Sequence, residues 1–374
     1  MSKKQALPKL IIASSQHDAD MLYATGFFVP DPFIFLQQGS RSTAVLSDLE
    51  VDRGRKEAQV DEVVALSEIS KKVPKGKDAS FVEQIVAFLR SRKVRRAAVP
   101  GSFPLGLATS LARAGIQLIP QPGLFWEERE FKNAAELKQI RQALAMTERG
   151  MARGMEVLRA AKIGLKNVLQ WSGKLLTSEI LRAEIDSAIL RAGGVPANTI
   201  VAGGEQACDP HERGHGALRG HELIILDIFP RAAKSGYYGD LTRTVVRGRA
   251  SDAQRKIWET CLAGQKKALR EMKPRQSGKA VQDRVREFFK ESGYPTEQRN
   301  GRWSGFFHGL GHGLGLEIHE SPRIATTTFR PGQVVTVEPG IYVPGLGGVR
   351  HEDVVTITKT GQRLLSGFPK VLEI

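Results

Sequence analysis

The sequence is poor in cysteine. Only Cys208 and Cys261 occur in 374 residues, far apart and in no metal-type spacing. That excludes a disulfide-stapled scaffold. One bridge between the two is an alternative, but reduced thiols in a cytoplasmic protein are the expectation. Long hydrophobic runs are also lacking, since no apolar stretch approaches the ~20 residues that a membrane-spanning helix needs. Near the start, only Leu10-Ile11-Ile12 precede the polar Ser14-Ser15-Gln16-His17, which is not the core of a secretory signal. Acidic residues are outnumbered, 40 against 55 basic ones, giving a net charge of +15 and a pI near 9.9. The excess gathers at Lys71-Lys72, Lys75 and Lys77, and at Arg90, Arg92, Lys93, Arg95 and Arg96. Such clusters fit either an anionic partner or a solvated face. No RNP-type aromatic motif, zinc finger or glycine-rich single-strand platform accompanies them. The solvated face is therefore the expectation, with nucleic acid and membrane not expected as partners.

What is present is ordinary globular material, 41% hydrophobic and 25% charged, in a chain long enough for two domains. Leu10-Ile11-Ile12, Phe33-Ile34-Phe35-Leu36, Thr43-Ala44-Val45-Leu46, Arg96 to Pro100 and Leu118-Ile119 read as short strands. Phe81, Val82, Ile85, Phe88 and Leu89 make a helical stripe over Ala79 to Leu89, and Leu105 to Ala114 can form another helix. The pattern predicts an α/β domain over residues 1–130. The periodicity breaks at Trp126 to Glu130, and a long helix follows from about Ala134 to Ala161, with Asn133 as its capping residue.

Over 131–374 one order of elements is expected twice. Helices at about 134–161 and 177–193 precede apolar strands Leu223 to Leu226 and Thr242 to Val246. Helices at about 253–272 and 278–292 precede Val334 to Val337 and Val354 to Ile357. The two halves share element order and no evident residue-by-residue similarity.

Each half delivers acids at strand ends. Asp227 follows the first apolar strand, and Asp240 stands thirteen positions later, with Pro230 and Ser235-Gly236 marking a turn between them. Two carboxylates facing across a hairpin repel unless a proton or a metal separates them, although two surface acids on a hairpin would read the same way. Glu338 ends the strand Val334 to Val337, and Glu352 stands just before the strand that begins near Val354. An acid at the end of a buried apolar strand is costly unless paired or metal-bound. Three of the eight histidines, His308, His312 and His319, fall within twelve positions, in a stretch with glycine at every second place from Gly309 to Gly315. Glycine there lets backbone approach closely; the alternative is a flexible loop with incidental histidines. Taken together, four carboxylates and one imidazole make a mostly oxygen site for Mn2+, Co2+, Fe2+ or Zn2+. Four negative charges suit two cations better than one, and such a pair would hold a water as hydroxide and polarise a carbonyl.

At these residues the sequence resembles the pita-bread metallopeptidases (peptidase family M24), which include methionine aminopeptidase, aminopeptidase P and prolidase. The resemblance rests on Asp240-Leu241-Thr242-Arg243-Thr244, Gly311-His312-Gly313, Ile318-His319-Glu320, Val337-Glu338-Pro339-Gly340 and Arg350-His351-Glu352-Asp353, in the family's order. Met21-Leu22-Tyr23-Ala24-Thr25-Gly26-Phe27 looks like part of a creatinase/prolidase-type amino-terminal domain, which favours the Xaa-Pro branch. The resemblance implies an α/β amino-terminal domain over 1–130, then an α+β pita-bread catalytic domain over 131–374. It also implies a dinuclear centre, Mn2+ or Co2+ first. Asp227 would chelate one metal, Asp240 and Glu352 would bridge both, and His312 and Glu338 would complete the second. Glu338 would also be the general base, His319 would bond the scissile carbonyl, His211 would contact substrate, and Arg350 would orient a ligand acid or the substrate. Tyr237 and Thr242 would hydrogen-bond the ligand carboxylates. The implied reaction is hydrolysis of the Xaa-Pro bond in di- or oligopeptides by a homodimer, as a prolidase or, on longer chains, an aminopeptidase P. A creatinase-like C–N hydrolase and an RNA-binding use of the fold are the other readings. The separation of Asp227 from Asp240 is two positions more than the family's usual one, which a longer hairpin tip would absorb.

Overall fold

The computed structural model describes residues 6–74 and 80–374, so Lys75, Lys77 and Ala79 lie outside the described residues. The chain divides into two compact units at Arg129/Glu130.

In the first unit a six-stranded sheet runs in the order Glu62–Ala65, Arg41–Leu46, Phe33–Gln38, Lys9–Ala13, Arg96–Pro100, Gln117–Gln121. Phe33–Gln38 pairs antiparallel with both of its neighbours, and the other three pairs are parallel. Successive side chains of a strand point to opposite faces, and both faces are covered here. Leu10, Ile12, Ile34, Leu36 and Val45 enter one core, while Ile11, Phe33, Phe35, Ala44 and Leu46 enter the other. The predicted helical stripe forms the helix Phe81–Ser91, capped by Ser80, whose hydroxyl accepts from Glu83 N. The strand Glu62–Ala65 and the short helices Ala19–Thr25 and Val51–Glu57 are additions to the sequence-based expectation. Part of the basic cluster is paired, since Arg92 contacts Glu62 at 2.7 Å.

The second unit opens with the long helix Ala134–Ala160. Asn133 accepts from the Ala135 and Glu136 amides, and the Glu136 carboxylate accepts from Asn133 N at 2.9 Å. Each satisfies backbone donors that the first helical turn leaves free. This helix and Ser178–Arg191 pack through Met151, Met155, Leu158, Leu181 and Ile185 onto a three-stranded sheet, Ile200–Gly203, Leu223–Ile228 and Leu241–Val246. The pattern then recurs. Helices Asp252–Glu271 and Gly278–Glu291 pack through Ile257, Cys261, Val281 and Val285 onto a five-stranded sheet. Its order is Glu320–Arg323, His312–Gly313, Val334–Val337, Asp353–Ile357, Gln362–Leu364, and a separate hairpin pairs Gly340–Val343 with Gly347–Arg350. The expected repeat of element order is present. Both cysteines are buried and free, so the alternative of a bridge between them is excluded. Among the described residues, no helix is long and apolar enough to cross a membrane.

Candidate metal centre

The strand registers aim the acids. Asp227 lies opposite Thr242, so Asp227, Thr242 and Asp240 share one face of the first hairpin. The pairing of Leu223–Ile228 with Leu241–Val246 closes at Ile228 and Leu241, and Arg231 bridges Tyr238 beyond it. The turn between Arg231 and Tyr238 leaves Asp227 and Thr242 in register despite the separation of Asp227 from Asp240. In the second sheet Val337 lies opposite Asp353, so Glu338 and Glu352 flank the end of that ladder.

Asp240, His312 and Glu352 are buried, and each offers a ligand atom within 4.8 Å of the others'. His312 Nε2 stands 3.2 Å from Glu338 Oε1 and 3.8 Å from Asp240 Oδ2. Its Nδ1 lies 3.1 Å from the Gly313 carbonyl; were a cation to replace the Nε2 proton that Glu338 accepts, a proton on Nδ1 would donate to that oxygen, the form that binds a metal. Asp227 stands outside the three-residue group. Its Oδ2 accepts from Arg350 at 2.7 Å, while its Oδ1 is buried with no hydrogen-bond partner. Burial pushes Asp240 and Glu352 well above the usual carboxylate range, and the neighbouring acids push further. Asp227 is raised by burial as well, against the pull of Arg350. Burial also opposes the charge on half-buried Glu338, but the His312 hydrogen bond and nearby cationic groups prevail and hold it down to about 2. Buried acids driven toward their protonated forms, one of them with an oxygen left without a hydrogen-bond partner, are the environment that divalent cations neutralise. The donor set fits them.

Around the acids lies a network of orienting groups. Thr242 Oγ1 donates to Glu352 at 2.7 Å and accepts from Arg350 Nε at 3.3 Å. Thr336 Oγ1 accepts from His312 N and donates to Glu338, both at 3.1 Å. Arg350 Nη1 donates to the Tyr342 hydroxyl, which lies 2.9 Å from His308 Nε2. Asp227, Arg350, Tyr342 and His308 thus form one continuous chain. Burial holds His308 down to about 4, so its ring is neutral. Behind the acids, fully buried Arg243 donates to the Thr242 and Glu352 carbonyls and to Asp353 Oδ1. Tyr237, the other expected partner, donates to Glu136 at 3.0 Å.

His319 packs edge-on against His312 at 4.3 Å, and partial burial, then His312 and Arg323, hold it down to about 4. His211 is exposed on the loop after Gly204–Cys208, near enough that its charge bears on both His308 and His319. The glycine run serves close approach at Gly311, where an added Cβ would lie 2.1 Å from the Thr336 carbonyl oxygen, and at Gly313, where it would lie 2.4 Å from that of Ser321. Sequence reasoning assigned no role to His308, Thr336 or Tyr342. The signal for His308 lay in its place within the histidine cluster. Thr336 and Tyr342 sit in β-prone strands where nothing local marks them.

A sequence model of metallopeptidase family M24 matches residues 138–359. The chain is similar to a Xaa-Pro dipeptidase of Pyrococcus furiosus, 41% identical over 180 residues covering 45% of this chain and 47% of that protein. A Xaa-Pro dipeptidase of Pyrococcus horikoshii is 39% identical over 180 residues, covering 45% and 46%. The matched region spans about half the length of these curated relatives. Among solved structures, a prolidase from Pyrococcus furiosus superposes with a TM-score of 0.78 at 26% identity, over 97% of both chains. An X-Pro aminopeptidase from Thermotoga maritima superposes with a TM-score of 0.82 at 25% identity, over 98% of this chain and 97% of that one. The expected architecture, an α/β unit followed by an α+β pita-bread unit, is the one observed. With the family match spanning well over half of its length, the chain belongs to metallopeptidase family M24.

Proposed function

We propose that this protein is a metal-dependent exopeptidase that hydrolyses the Xaa-Pro bond, prolidase-like, with dipeptides as its preferred substrates. The observation that carries the reading is the buried grouping of Asp240, His312 and Glu352 at ligand distance in a chain of this family. Two divalent cations, Mn2+ or Co2+ first and Zn2+ or Fe2+ as alternatives, would be held by Asp227, Asp240, His312, Glu338 and Glu352 and would supply Lewis acidity and an activated water. Glu338, held ionised, takes the proton that the attacking water loses and passes it to the departing proline nitrogen. His319, held neutral, donates a hydrogen bond to the scissile carbonyl oxygen as charge develops there. Arg350 fixes Asp227 and, through Tyr342, the His308 ring. His211 contacts substrate away from the acids. Arg323, exposed, in register with His312 and close to His319, is the cation we assign to a dipeptide's terminal carboxylate. The first unit is read as a creatinase/prolidase-like amino-terminal domain, and the assembly as a cytoplasmic homodimer. Free buried thiols support the location.

A second reading, an aminopeptidase P acting on longer Xaa-Pro-Xaa peptides, is favoured by the superposition on the Thermotoga maritima X-Pro aminopeptidase. Proline release from Gly-Pro and Ala-Pro, against cleavage of Xaa-Pro-Xaa peptides, after Mn2+ or Co2+ loading separates the two. The expected outcome is dipeptide cleavage, lost at least ~100-fold in Glu338→Ala and His312→Ala with circular dichroism unchanged. Inactivity on both peptide classes would sink the assignment. Retained activity after exhaustive chelation would point to a creatinase-like hydrolase. Salt-dependent RNA binding by a metal-free purified protein would point to a binding role.

A further inference from the structure

An aromatic surface leads outward from the candidate metal centre, and the proposed reaction has no use for it yet. Tyr342, whose hydroxyl is tied to Arg350 and His308, is fully buried. Phe307, half-buried, packs against it with ring centroids 5.2 Å apart. Trp303 follows at 6.2 Å from Phe307, with the planes tilted by 32°, and is 50% exposed. Phe229, two positions after Asp227, is half-buried and joins Phe307 against the same small core. Exposure thus rises step by step from the chain of groups that orients Asp227 to an open indole.

The indole is held in place. Trp303 lies in the hairpin Glu297–Arg299/Arg302–Ser304, whose Arg302 is paired with Glu205. Glu205 in turn accepts from Gly345 N at 2.9 Å. Gly305 and Tyr342 exchange backbone hydrogen bonds of 2.9 and 3.1 Å, so the hairpin is fixed to the strand that follows Glu338. Asp209 accepts from His211 N at 3.1 Å, and its charge also favours the charged form of Arg302 on the hairpin. An aromatic ring anchored by backbone bonds and left half open offers apolar area to a ligand at little entropic cost.

We propose that Trp303, backed by Phe307, is a specificity-determining platform for a bulky apolar side chain on the residue before proline, an inference that rests on the Xaa-Pro reading. The proline ring is constant among such substrates and suits an enclosed pocket. The preceding side chain varies in length, and an open rim of two aromatic rings accommodates that variation. The platform predicts preference for Phe-Pro and Leu-Pro over Gly-Pro.

The test compares kcat/KM on Phe-Pro and Gly-Pro for the Mn2+-loaded wild type, Trp303→Ala and Trp303→Phe. The Phe-Pro to Gly-Pro ratio should fall about tenfold in Trp303→Ala, mainly through KM, and recover most of the way in Trp303→Phe. A ratio within about twofold of wild type, or equal losses on both peptides, overturns the proposal. Should the wild type cleave neither peptide, the Xaa-Pro reading falls by itself, and tryptophan fluorescence still reads the platform. Titration with Phe-Pro should give a saturable change in the wild type that Trp303→Phe lacks. No saturable change, or the same change in the variant, overturns the platform independently of turnover.

Discussion

His351 stands directly before Glu352, fully buried, with its ring edge-on to Trp258 at 4.7 Å, and neither ring nitrogen makes a hydrogen bond of normal geometry. Burial, then the charges of Arg243 and Lys370, push it down to about 3. An ordinary histidine titrates near 6.5. Above that value both folded and unfolded chains carry it neutral, and its contribution to stability is complete. As the pH falls below about 6.5 the unfolded chain takes a proton that the folded one refuses, and the contribution is lost toward pH 3. The slope is about 1.4 kcal/mol per pH unit from this residue alone, and His308 adds in the same direction. Denaturant unfolding of the metal-free protein at pH 7 and pH 5 measures it. His351→Leu should flatten the dependence and cost little at pH 7, because an apolar side chain needs none of the missing partners. An unchanged slope in that variant would contradict the assignment.

The strands and helices show how the residues come to converge. Long periodic segments were legible in the sequence, among them the helix Ala134–Ala160 with its Asn133 cap, the hydrophobic strand Leu223–Ile228 that carries Asp227, and the strand Val334–Val337 that Glu338 follows. The strand Glu62–Ala65 was not, because four residues opening on a glutamate carry almost no periodic signal. The acids and His312 could be read because their chemistry is rare at strand ends. Thr336 could not, since a threonine in a β-prone run looks like any other; only the register that turns it toward His312 and Glu338 reveals its task. Thr336→Val keeps the shape of the strand Val334–Val337 and removes both hydrogen bonds. Metal affinity should drop ~10- to 100-fold with secondary structure unchanged, as measured by competition with a chromophoric chelator. Wild-type affinity in that variant would remove Thr336 from the site.

Across the second unit, the acids are drawn from both halves, Asp227 within and Asp240 just before strands of one sheet, Glu338 just after and Glu352 just before strands of the other. Asp240 and Glu352 are raised well above the usual carboxylate range by burial and by the neighbouring acids, so with no cation bound their charged forms are disfavoured. Cation binding requires them ionised, so loading should release protons, and fewer as the pH rises. Calorimetric titration with Mn2+ in two buffers of different ionisation enthalpy counts them. No release at any pH tested would contradict the direction assigned to this pair. The division of the acids has a mechanical meaning too. Neither half alone offers more than two of the four carboxylates, so ions seated among them would act as rivets through a lap joint. They would bind where both plates overlap and, while seated, would oppose any motion that slides one plate off the other.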